Sequence, residues 1–77
     1  MRQLPPLGPL RAFEATVRLG SMTRAAADLG RTHGAVSRQI RALEEAVGVD
    51  LVDRAVTPLA PTRAGAEFFA GVTAAFD

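Results

Sequence analysis

Seventy-seven residues suffice for one small domain with one modest core; 48% of them are apolar, and the only aromatics are four phenylalanines. With no cysteine and one histidine, the chain has no means to build a disulfide framework or a cysteine-based zinc site, and no bound metal or cofactor is expected. A net charge of only +1 hides an asymmetry: seven arginines against two acids give residues 1–41 a charge of +5, and two arginines against six acids give residues 42–77 a charge of −4. A basic front and an acidic back suit a domain with one phosphate-facing side.

Residues 1–6, MRQLPP, read as a lead-in that cannot start a helix before its prolines. Pro9 suits a first helical turn, and Leu10, Phe13 and Val17 then recur on one face of a helix ending near Gly20. Thr23 is the expected N-cap of a second, short helix that turns Ala26 and Leu29 inward and stops at Gly30. Only Arg31 and Thr32 intervene before a third helix from about His33 to Val47, for which Thr32 is the cap and Gly48 the stop. So short a connection makes the two helices cross, with the small side chains of residues 25–27 permitting close approach.

On the third helix Val36, Ile40, Leu43 and Val47 fall within about 60° of one another and predict a core stripe. Gly34, Arg38, Arg41 and Glu45 lie opposite, with Ser37 on the flank. Two short crossing helices whose second member carries arginines away from the core form a helix-turn-helix with its recognition helix aimed at the major groove of DNA. Residues 49–61 are β-leaning and punctuated by Pro58 and Pro61, which predicts a brief two-stranded hairpin, a wing. Thr62 then caps a fourth helix with the apolar stripe Phe68, Phe69, Val72 and Phe76. The fold class expected is mainly α: a winged helix-turn-helix with a three-helix core, a short β-hairpin wing and the start of a C-terminal helix. No apolar run approaches the roughly 20 residues of a membrane span, and the N-terminus lacks a secretory signal pattern, so a soluble cytoplasmic protein without a membrane partner is expected.

The wording LRAFEATVRLGSMTRAAADL, then THGAVSRQIRALEEAVGVDLVDR, then PTRAG resembles the N-terminal DNA-binding domain of LysR-type transcriptional regulators. The likeness spans about Leu4 to Gly65, and THGAVSRQIRALEE with the LPPL lead-in is most similar to the subgroup of glycine-cleavage activators and β-lactamase regulators. It implies a bacterial, nucleoid-associated protein that binds double-stranded operator DNA as dimers or tetramers, with a long C-terminal helix that dimerises it. It also implies a C-terminal domain that senses a small-molecule effector. On this reading residues 1–62 are the DNA-binding domain, residues 63–77 begin the dimerising linker helix, and the effector domain is absent. Two departures stand out. Val52 takes the place of the family's usual Phe, and the wing after Arg54 reads AVTPLAP, without the usual basic residues.

Candidate DNA contacts follow from both lines of reading. Arg38 is placed to make a bidentate contact to guanine O6 and N7, and Arg41 to reach a phosphate. The competing reading pairs these arginines with Glu44 or Glu45 on a solvated face. Thr32, His33, Gly34 and Ser37 cluster at the start of the third helix, where free N–H groups and the helix dipole favour a phosphate. His33 alone reads equally as a surface or capping residue. Ser21, Thr23 and Arg24 open the helix that crosses the DNA backbone, and Arg31 sits in the turn. The resemblance implies that Arg54 reaches into or beside the minor groove; a salt bridge to Asp50 or Asp53 is the alternative. The stripe Phe68, Phe69, Val72 and Phe76 exceeds what a short terminal helix needs for packing, so part of it is expected to meet a second chain, making a homodimer; the alternative for its inner part is that it caps this domain. No catalytic residues are expected, since the histidine lacks a nucleophile or carboxylate partner and there is no glycine-rich phosphate loop. A rival from another class is an interaction module that pairs with a full-length relative and blocks it.

Overall fold

The computed structural model describes residues 7–76, so the MRQLPP lead-in lies outside the described residues. Its order is α1 (Leu7–Leu19), α2 (Met22–Leu29), α3 (His33–Val47), β1 (Val52–Asp53), β2 (Ala60–Pro61) and α4 (Arg63–Phe76). In α1 the fully buried face is Ala12, Phe13, Ala15 and Thr16, while the expected Leu10 and Val17 are half-buried on its flanks. Small residues hold that face because α2, α3 and α4 all pack against α1, leaving room for one large ring, Phe13. Gly20 ends the helix in the left-handed region at φ 70°.

The cap of α2 corrects the sequence expectation. Ser21, not Thr23, is the N-cap; its backbone is extended and its Oγ accepts the Arg24 N–H at 3.1 Å. Starting one residue after Ser21 puts Met22, Ala25, Ala26 and Leu29 on one inward face, whereas a cap at Thr23 would leave Met22 outside the helix. Thr23 is exposed in the first turn. At the other end Gly30, at φ 66°, closes a Schellman motif: the Arg31 N–H donates to the Ala26 carbonyl at 2.8 Å.

The cap of α3 is as expected, with Thr32 Oγ1 accepting the Ala35 N–H at 3.1 Å and Gly48, at φ 83°, ending the helix. Its inner face differs from the predicted stripe. Val36 and Ile40 are fully buried and Leu43 packs partly against them, but Val47 is 42% exposed and Glu44 is buried in its stead. Two-residue strands pair antiparallel, Val52 with Pro61 and Asp53 with Ala60. The wing is brief because prolines deny it donors. Leu51 and Val52 both sink into the core, so Val52 anchors the wing despite being smaller than Phe. The far end of the wing is tied back by the Leu59 N–H, which donates to the Gly20 carbonyl at 2.9 Å.

Thr62 caps α4 as predicted, accepting the Gly65 N–H at 3.0 Å, and its hydroxyl donates to the Asp50 carbonyl at 2.7 Å. The apolar stripe of α4 is largely consumed within the chain. Phe68 and Phe69 meet Phe13 edge to face at 5.5 and 6.3 Å, and Val72 is buried. The side chain of Phe76 lies outside the described residues. The inner part of the stripe thus caps this domain, the alternative that the sequence left open.

One core feature yields a direct prediction. Thr16 is fully buried, and its hydroxyl has no hydrogen-bond partner among the described residues. Replacing it by the near-isosteric valine should raise stability by about 1 kcal/mol, because an unpaired buried hydroxyl costs about that much or more. Urea unfolding of Thr16→Val checks it; a lower midpoint would show that the hydroxyl is satisfied in solution.

Candidate nucleic-acid interface

Helix α2 and the Schellman turn fix the start of α3, whose Val36 and Ile40 face the core while its opposite face is exposed. Arg31, Thr32, His33, Gly34, Arg38 and Arg41 are exposed there, with Ser37 half-buried on the flank. Thr23 and Arg24 are exposed at the start of α2, while Ser21 is half-buried because its side chain is the cap. Gly34 is not demanded by internal packing. A Cβ there would meet only the Arg38 guanidinium at an ordinary 3.5 Å.

The electrostatics of this side are set by where the acids go. Both acids of the basic front, Glu14 and Asp28, bind Arg18, at 3.0 and 3.3 Å. That network holds the Arg18 guanidinium above its ordinary range, chiefly through the Glu14 hydrogen bond and then that of Asp28. Among the described residues no ion pair involves Arg24, Arg31, Arg38 or Arg41. Neither Glu44, which turns inward and binds Arg54, nor Glu45 forms an ion pair with Arg38 or Arg41 among the described residues.

Arg54 also departs from expectation. Its partner is neither Asp50 nor Asp53 but Glu44, which it grips with both terminal nitrogens, Nη2 to Oε1 at 3.1 Å and Nη1 to Oε2 at 3.4 Å. The same carboxylate accepts the backbone N–H groups of Leu51 at 2.7 Å and Val52 at 3.2 Å. Burial pushes the Glu44 carboxyl up, but the Arg54 guanidinium and these two N–H groups outweigh it and hold it below the usual carboxylate range. Asp53 instead accepts the Ala55 N–H at 2.9 Å in the turn of the wing. Glu44 is the functional residue that reading by polarity misses. Its spacing shows it, since it follows Val36 and Ile40 at successive intervals of four.

A crossing helix pair, an exposed arginine-bearing helix and a hairpin braced against it define a winged helix-turn-helix. The chain belongs to the LysR family: residues 7–66 match the family described as bacterial regulatory helix-turn-helix protein, lysR family, whose members are transcription regulators rather than enzymes. Among curated proteins it is 60% identical over 50 residues to the HTH-type transcriptional regulator TrpI of Pseudomonas aeruginosa, covering 65% of this chain and 17% of that one. It is 41% identical over 75 residues to the glycine cleavage system transcriptional activator of Escherichia coli, covering 97% and 25%. The chain thus spans a quarter or less of these relatives. Among solved structures it is similar to the BenM DNA-binding domain in complex with catB site 1 DNA, with a TM-score of 0.89 and 35% identity, covering 94% of this chain and 77% of that one.

Among the described residues no helix is long and apolar enough to cross a membrane, and no group of three or more His, Asp or Glu is placed to hold a metal ion.

Proposed function

We propose that this chain reads operator DNA for a bacterial transcription regulator, with α3 in the major groove and the start of α2, the turn and the wing on the backbone. The observation that carries the reading is the exposed, unneutralised set Arg24, Arg31, Arg38 and Arg41 around the start of α3. Arg38 reads base edges. Ser21, Thr23, Arg24, Arg31, Thr32, His33, Gly34, Ser37 and Arg41 fix register against phosphates and neighbouring bases, and Arg54 contributes from the wing. The protein works in the cytoplasm, at the nucleoid. Two copies joined through α4 read two half-sites about one helical turn apart, or a multiple of that.

The test is selection of bound sequences from a random duplex pool, followed by affinities across a salt series. Each neutralised phosphate should steepen the dependence of log affinity on log salt by about 0.9. Arg38→Ala should then lose about 1–3 kcal/mol of discrimination at one position and bind related sites more evenly. No affinity at low salt would overturn the function. An even loss across all sequences would overturn the base-reading role of Arg38.

A further inference from the structure

Between the wing-side flank of α3 and the base of the wing lies a hollow of about 290 Å³, lined by His33, Ser37, Arg41, Arg54, Met22 and Leu59. No acid lines it, although Glu44, Glu45 and Asp50 all face a neighbouring depression behind Arg41. Two guanidinium groups, an imidazole and a hydroxyl thus share one concavity with an apolar floor. The hollow is open to solvent, as a seat for a backbone phosphate must be.

The Glu44 clamp decides what Arg54 is able to do there. Two of the five donors of its guanidinium are committed to the carboxylate, which leaves three. A third of its side chain remains accessible, with 33% exposed. Its head is tied to α3 beside the hollow and is not carried at the tip of the wing. A helix in the major groove and a wing over the adjacent minor groove straddle one sugar-phosphate strand. The concavity between helix and wing is the part of the surface that this strand must cross.

The geometry points to this hollow as a seat for a single backbone phosphate, shared by Arg41 and Arg54, with His33 and Ser37 as further donors and Glu44 as the residue that positions Arg54. This rests on the DNA-binding reading and replaces the minor-groove role of Arg54 with a phosphate contact. Glu44 touches no DNA; it sets the angle at which Arg54 presents its remaining N–H groups.

The experiment compares the wild type, Arg41→Gln, Arg54→Gln, the double variant, and Glu44→Gln/Arg54→Gln, which leaves no unpaired buried charge behind. Each is measured across a salt series on a duplex selected from a random pool, and on the same duplex carrying one neutral methylphosphonate at successive positions. Each single variant should lower the salt slope by up to about 0.9 per chain bound, and Arg41→Gln/Arg54→Gln should lose about 0.9 in total, because one phosphate is shared. The same methylphosphonate position should weaken the wild type and have little effect on the double variant. Glu44→Gln/Arg54→Gln should reproduce the slope of Arg54→Gln, which separates phosphate loss from misfolding. A double variant losing about 1.8 means two separate phosphates and overturns the seat. So does an Arg54→Gln variant whose affinity equals that of the wild type at every salt concentration, or one that alters only an A·T preference beside the wing. A wild type that binds no duplex at all defeats the DNA reading itself.

Discussion

Replacing Glu44 by alanine is expected to cost this domain about 3–4 kcal/mol, a large part of the roughly 5–15 kcal/mol that holds an ordinary domain folded. The carboxylate is 6% exposed and satisfies three groups at once, the N–H of Leu51, the N–H of Val52 and the guanidinium of Arg54. Its removal strands two backbone donors at buried residues, each at about 1–3 kcal/mol, and leaves Arg54 without a partner. Breaking a buried pair from one side costs about 3–5 kcal/mol; the lower part of that range applies because the partly exposed Arg54 keeps contact with water. Glu44→Gln should be milder, about 1–2 kcal/mol, because its amide oxygen still accepts from the backbone. Thermal and urea unfolding of both variants give the comparison, and midpoints equal to the wild type would remove Glu44 from the account of the wing.

Acid pH should reproduce part of that loss in the wild type. The folded-state value of Glu44 lies below its ordinary value of 4.5, so its contribution is complete above that value and is lost as pH falls through the folded-state value. The stability gap between the wild type and Glu44→Gln should therefore be constant from neutral pH down to about pH 5 and shrink only in more acidic solution. A gap that stayed constant into strong acid would show that the hydrogen-bonded carboxylate is not what separates the two proteins.

The residues of the interface that are legible in the sequence are those whose placement is decided locally. Thr32, Gly30 and Gly48 are fixed by the cap chemistry of the chain on either side of them, and Arg38 and Arg41 by lying opposite Val36 and Ile40. The misses are tertiary. Ser21 and Thr23 satisfy the same capping rule, and the choice falls to Ser21 because Met22 has a place in the core. Arg54 ignores the acids beside it in sequence for one ten residues away, since only the folded hairpin brings it over α3. Val47 runs past the end of the core and lies exposed, while Phe68 and Phe69 find an internal partner in Phe13, more than fifty positions earlier. The wing itself was read correctly as short and nearly uncharged. What the sequence did not show is that its one arginine is held against the recognition helix.

The tightest steric constraint in the domain is at Gly65, where alanine should cost about 3 kcal/mol or more. The first turn of α4 runs against Leu51, the residue before β1, so closely that a Cβ on Gly65 would overlap the Leu51 carbonyl oxygen and lie 2.8 Å from its carbon and 3.1 Å from the Leu51 Cα. These are backbone atoms, and Leu51 is in no position to yield. Its side chain is 1% exposed, its N–H is bound by Glu44, and its carbonyl accepts the Thr62 N–H at 3.0 Å. Alanine must therefore lift α4 off Leu51, disturbing the Thr62 cap and the contacts of Phe68 and Phe69 with Phe13, which is worse than ordinary overpacking at about 1–3 kcal/mol. The same substitution two turns along the same helix is the control. At Gly71 nothing lies within 4 Å of the added carbon, so Gly71→Ala should stabilise by about 0.5–1 kcal/mol through helix propensity alone. Opposite shifts of the two melting temperatures are the expected result. Equal shifts would mean that α4 does not sit against Leu51 in solution. Because Leu51 leads directly into Val52 and on to Arg54, a displaced α4 should lower DNA affinity even though it touches no DNA.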